Sequence, residues 1–116
     1  MTEKRKKLGN EGEQAAAEYL EMSGYKILER NLRLFCGEID ILAEDVKDKK
    51  SIVIVEVKTV SGDGWGEAID LVRYKKQNKL KLLASVLSQQ YPNKTIRIDV
   101  IGVSVKGIEH LKNAVN

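Results

Sequence analysis

Residues 37–41, Gly37-Glu38-Ile39-Asp40-Ile41, and residues 52–59, Ile52-Val53-Ile54-Val55-Glu56-Val57-Lys58-Thr59, decide the fold. Both are runs of β-branched and apolar residues of strand length, yet each carries charges at alternate positions. Side chains alternate faces along a strand, so Glu56 and Lys58 share one face and Val55 and Val57 the other. By the same rule Glu38 and Asp40 share a face, opposite to Ile39 and Ile41. The intervening EDVKDKK is polar and reads as a turn, so the two runs form a hairpin. With that turn centred near residue 48, Asp40 lies across from Glu56 and Glu38 across from Lys58. A charge inside an apolar sheet costs several kcal/mol unless it is paired, ligated or solvated in a cleft. One face of this hairpin therefore carries chemistry.

Outward from the hairpin, Leu8, Ala15, Ala16, Tyr19 and Leu20 recur at helical spacing over residues 8–22, with Gly24 at a C-capping position. Residues 25–34 alternate imperfectly and form a strand before the hairpin, whose strands span residues 37–43 and 52–59. After the loop SGDGWG, the residues Val72, Leu80, Leu83, Val86 and Leu87 trace a second amphipathic helix, the longest of the chain, ending near Gln90. Residues 95–103 form a further strand, and residues 107–115 are compatible with a short strand and with a helical turn. The order predicts an α/β protein with a central mixed sheet flanked by helices, in three layers.

The 116 residues fit one domain, with residues 1–7 as a flexible basic tail. No apolar run approaches the roughly 20 residues of a membrane span, and the N-terminus lacks a signal-peptide core, so a soluble cytoplasmic protein is expected. One cysteine, Cys36, and one histidine, His110, exclude a disulfide framework and a thiolate or imidazole metal cluster. Cys36 reads as a small buried hydrophobe, His110 as a surface residue, and Trp65 as a lid on the core. The net charge of +3 is modest, but positive residues bunch at 4–7 and 73–81, which permits a polyanionic partner.

Two facing carboxylates have Cβ atoms roughly 4.5–5.5 Å apart and repel. A divalent cation removes the repulsion, and Asp40 with Glu56 makes a minimal seat for Mg²⁺. Lys58 beside them can orient a water or stabilise charge developing on phosphorus. Glu13 stands three, four and seven residues from Ala16, Ala17 and Leu20, at the edge of the first helix's buried face. Lys76, four residues from Val72 and from Leu80, lies in line with the second helix's apolar stripe, with Gln77 beside it.

An acid on one strand followed by acid-x-lysine on the next resembles the active-site pattern of the PD-(D/E)XK nuclease superfamily. GNEGEQAAAEYL, GYKILERNLR, GEIDILAED, VEVKT, VRYKKQNKL and RIDVIGV together resemble the YraN-like family, related to archaeal Holliday-junction resolvases, over residues 9–115. The resemblance implies a restriction-endonuclease-type fold and a Mg²⁺- or Mn²⁺-dependent endonuclease acting on DNA, branched DNA included. It assigns catalytic roles to Glu13, Asp40, Glu56 and Lys58. It places the metal on Asp40, Glu56, Glu13 and the Val57 carbonyl, and DNA phosphates on Arg73, Lys75, Lys76, Gln77 and Lys79. It also admits a homodimer. Ile39 stands where the superfamily's name has proline. The contrasting expectation is a nuclease-fold module that grips nucleic acid or protein without cutting.

Overall fold

A computed structural model describes residues 3–48, 50–62 and 64–115. The chain runs α1 (Glu3–Met22), β1 (Tyr25–Leu34), β2 (Gly37–Asp45), β3 (Ser51–Thr59), α2 (Trp65–Asp70), a π-helical turn (Leu71–Lys75), α3 (Gln77–Gln90), β4 (Ile96–Ser104) and β5 (Gly107–Leu111). The five strands lie in sequence order, antiparallel except for the parallel pair β3–β4, which the helical crossover joins. Residues 107–111 are thus a strand, paired through Val103 and Ile108 to the edge of β4.

Alternation along β3 sorts the core into two layers. Val53 and Val55 pack with Ile41 and Ala43 under Ala16, Ala17 and Leu20 of α1. Ile52 and Ile54 pack with Leu42, Ile98 and Val100 under Leu80, Leu83 and Leu87 of α3. The result is the expected three-layer α/β arrangement with a mixed sheet in the middle. No helix among the described residues is long and apolar enough to cross a membrane.

Four expectations are corrected. The first helix begins at Glu3, so residues 3–7 of the segment read as a flexible tail have a helical backbone, as their Glu, Lys and Arg residues favour, while residues 1 and 2 lie outside the described residues. The second helix is not continuous: a π-helical turn breaks it, Lys76 N–H bonding back to the Leu71 carbonyl at 3.2 Å, and α1, not α3, is the longest helix. Ile39 packs in the α3-side cluster while Ile41 packs under α1, so strict alternation lapses at the start of β2. His110 is not a surface residue, for its side chain is only 6% exposed. Its Nε2 donates to Asp99 Oδ2 at 2.7 Å and its Nδ1 lies 2.9 Å from the Tyr19 hydroxyl.

Asp99 is the centre of that buried network. Burial opposes its ionisation, but hydrogen bonds from His110, from Arg97 and from the Asn113 N–H outweigh it and hold the carboxyl below its usual range. Arg97 reaches further, to Asp45 at 3.1 Å, Asp48 at 2.9 Å and the Tyr25 hydroxyl at 2.8 Å.

Trp65 caps the β3–β4 region as a core-packed residue, its ring lying against Gly102, where any side chain would collide with it. Gly102→Ala is therefore expected to cost about 1–3 kcal/mol by overpacking. Trp65 is the chain's single tryptophan, so chemical unfolding followed by its emission reads both the loss and the displacement of the ring. An unchanged midpoint and spectrum would contradict the contact.

Candidate active site

The β2–β3 ladder runs from Asp45↔Ser51 to Ile41↔Val55 and stops there. β2 stays with β1 as far as Leu34↔Gly37, and β3 stays with β4 as far as Thr59↔Val103. The sheet thus opens between β2 and β3 at the positions where the apolar residues give way to Asp40 and Glu56. The register matches the one inferred from the sequence. In place of the next ladder bond, the Asp40 side chain inserts and its Oδ2 accepts the Val57 N–H at 2.8 Å.

Glu56 is buried, 8% exposed, and is neutralised by two ammonium groups. Lys76 Nζ lies 2.9 Å and Lys58 Nζ 3.3 Å from the same oxygen, Oε1. The π-helical turn aims Lys76 here, placing it at the junction with α3 over the open end of the sheet. A cleft of about 210 Å³ results, lined by Glu38, Asp40, Glu56, Lys76, Lys79, Leu80 and Leu83.

The charges are not evenly matched. Burial first, and then the Glu56 carboxylate, push the Asp40 carboxyl up to about 6, against the lowering effect of the Val57 N–H and Lys58. Glu13 is also raised, by burial and by Glu38 and Glu56, against Arg30. Its Oε1 is buried without a hydrogen-bond partner. Burial, and then the neighbouring Lys76, loosen the proton of Lys58, although Glu56 opposes this. Lys76 moves the other way: desolvation works against it, but hydrogen bonds to Lys58 and Glu56 hold its proton more tightly.

Asp40, Glu56, Lys58 and Lys76 therefore meet in one cluster. Glu13 approaches it from α1 and is felt by Asp40 less strongly than Glu56 is. Among the described residues no three His, Cys, Asp or Glu side chains gather as a ready cation cage. A raised carboxyl facing a second carboxylate, with an unpartnered acid behind them, is nonetheless a donor set that a hard divalent cation would satisfy. Asp40 and Glu56 are the two acids of the cleft that could hold one.

The residues assigned to phosphates do not form one face. Lys76 belongs to the cluster and Lys79 to the cleft. Lys75 lies with Glu67 and Asp70. Arg73 donates to the Ala114 carbonyl at 3.3 Å and, with Gln77, lines a hollow against the C-terminal segment. Glu38, expected opposite Lys58, instead pairs across β1 with Arg33 at 3.9 Å, because the β2–β3 ladder has already ended.

Comparison with known proteins gives a match to the model described as Uncharacterised protein family UPF0102 over residues 12–103. A UPF0102 protein of Thermodesulfovibrio yellowstonii is 49% identical over 114 residues, covering 95% of this chain and 96% of the relative. One of Desulforamulus reducens is 42% identical over 123 residues, covering 98% and 99%. Among solved structures, an EndoMS–dsDNA complex superposes at TM-score 0.43 and 22% identity, over 80% of this chain and 34% of that one. Pyrococcus furiosus SfsA in complex with Ca²⁺ superposes at TM-score 0.34 and 19% identity, over 97% and 65%.

The crowding of Asp40 has a measurable consequence. A carboxyl whose folded pKa is about 6, against 3.8 in the unfolded chain, favours folding below pH 4 and loses that contribution as pH rises to 6. In chelator, stability should therefore fall across that window. Asp40→Asn retains an acceptor for the Val57 N–H and should flatten the slope, leaving the variant more stable at pH 7. After discounting for partial exposure, the gain is on the order of 1–2 kcal/mol. Urea unfolding from pH 3.5 to 7.5 for both proteins checks it; parallel curves would refute the assignment.

Proposed function

Because this chain belongs to the UPF0102 family, the YraN-like family its motifs resemble, we propose that it is a metal-dependent endonuclease-like protein that hydrolyses DNA phosphodiesters. The observation that carries the proposal is the opened hairpin, which holds Asp40 and Glu56 on one sheet face with Lys58 against Glu56. Mg²⁺ or Mn²⁺ held by Asp40, Glu56 and the Val57 carbonyl would supply Lewis-acid polarisation and charge neutralisation. Lys58 is cationic and cannot be a ligand, so it orients the attacking water and stabilises charge growing on the phosphoryl oxygens. The water oxygen bonds to phosphorus and loses its proton to solvent as the bond from phosphorus to the leaving sugar oxygen breaks and that oxygen takes up a proton from solvent. Glu13 adds negative charge behind the pair, and Lys76 fixes the Glu56 carboxylate. Lys79, on the cleft rim, is suited to a neighbouring phosphate without regard to sequence.

A second reading is favoured by one observation: Lys58 and Lys76 already neutralise Glu56 without an added ion. On that reading the protein is a non-catalytic module that binds nucleic acid or protein through the same cleft. Divalent-metal titration separates the two.

Cleavage of linear, flapped and four-way DNA in Mg²⁺ and in Mn²⁺ is the direct test. Lys58→Ala is expected to lower the rate at least about a hundredfold while calorimetric Mg²⁺ binding is retained. Asp40→Asn should remove both. Wild-type cleavage that persists in excess chelator defeats the mechanism, and absence of cleavage on every substrate favours the binding module.

Binding to DNA should weaken steeply between low and high salt and discriminate little among sequences, because the available groups suit phosphates. Fluorescence anisotropy at several salt concentrations checks this; a flat salt dependence would count against it.

A further inference from the structure

The β1–β2 hairpin closes on a two-residue turn, Phe35-Cys36, between the paired residues Leu34 and Gly37. Short hairpin turns favour Asn, Asp and Gly, so turn chemistry does not call for phenylalanine. Nor does the core, since the Phe35 side chain is 89% exposed while its neighbours Leu34 and Cys36 pack against the α3-side core. It is the chain's single phenylalanine.

The position of the ring is specific. Gly37 adopts φ +154°, and a Cβ there would stand 2.7 Å from Lys79 Cε and 3.5 Å from Leu83 Cδ2, so the hairpin tip rests on α3 at the cleft rim. Lys79 and Leu83 are themselves cleft residues. Arg33, with its side chain 86% exposed, stands two residues before the ring. Asp40 lies five residues beyond it on β2. At about 3.4 Å per residue the tip is within roughly 17 Å of the Asp40 backbone. That distance matches about five nucleotide steps at the rise of duplex DNA.

We propose that Phe35 is a base-stacking wedge, inserting its ring against an unstacked base a few nucleotides from the phosphate held at Asp40, Glu56 and Lys58. The proposal rests on the DNA-directed function above. Aromatic and apolar wedges of this kind part a base step, and every base offers a face to stack on. Arg33 and Lys79, on the same tip and rim, suit the phosphates beside the parted step. A protein partner fits less well, because the exposed apolar surface at the tip is one ring beside the Arg33–Glu38 pair and Lys79, far below the contiguous area a stable interface buries.

Duplex oligonucleotides with 2-aminopurine at successive positions, bound in Ca²⁺, report unstacking as increased emission. Wild type should raise emission several-fold at one or two positions. Phe35→Ala should abolish that rise and weaken binding roughly tenfold by anisotropy. Phe35→Trp should restore both. The ring is exposed, so neither variant endangers the fold. Wild-type binding with flat emission, or a Phe35→Ala variant that behaves as wild type, overturns the wedge and leaves the DNA-directed function standing. Absence of wild-type binding on any DNA overturns both together. Conversion of a dimer to monomer by Phe35→Ala, with emission unchanged, would assign the ring to a self-interface and overturn the proposal.

Discussion

The hydrogen bond from the Val57 N–H to the Asp40 carboxylate governs the rest of the site. Had β2 carried an apolar residue at position 40, nothing would prevent the β2–β3 ladder from continuing beyond Ile41↔Val55 and closing the sheet. Instead a side chain replaces a main-chain acceptor, the backbone donor stays satisfied, and the strands separate with no orphaned amide. Each separated strand keeps an outer neighbour, β1 for β2 and β4 for β3, so the opening does not fray the sheet. The cleft is thus a consequence of one polar substitution in an otherwise continuous ladder.

The electrostatics follow from that geometry. Two ammonium groups are gathered on Glu56, and both reach the same oxygen. Asp40 receives one backbone donor, and Glu13 leaves a buried oxygen without any. Acid is therefore under-neutralised on the Asp40 side of the cluster, which adds to the burial that raises the carboxyls of Asp40 and Glu13. A site arranged only for stability would have shared the lysines between the acids. Accepting strain of this kind is common where a group must be ready for a ligand.

The strands, and their facing everywhere but at Ile39, were legible because period-two alternation is a local property of the sequence. The hairpin register followed from centring the polar turn near residue 48, and with the alternation it brought Asp40, Glu56 and Lys58 together. What escaped depends on partners distant in the chain or on small changes of phase. His110 finds Tyr19 across 91 positions, and no periodicity announces such a pair. The π-helical turn shifts the helical phase while leaving Val72 and Leu80 both buried, so the apolar pattern conceals it. Lys76 could be placed in line with the stripe, but its contact with Glu56 required the shift. Glu38 went astray because the inferred pairing was extended past the point where the strands part.

An opening sheet needs a closed end, and the buried network supplies one. Arg97, on β4, reaches Asp45 and Asp48 at the turn joining β2 to β3, opposite the end that carries Asp40 and Glu56. Its side chain is 10% exposed and that of Asp45 4%, so the pair is shielded from salt. Asp99 grips the same guanidinium through two oxygens, at 2.9 and 3.0 Å, and ties it to His110 and α1. Breaking a buried pair by removing one partner costs about 3–5 kcal/mol, more than the order of 1–2 kcal/mol that burial and the Glu56 charge together cost at Asp40. The clamp therefore outweighs that cost. The desolvated, crowded acids sit at the end where β2 and β3 part, and Arg97 holds the other end shut.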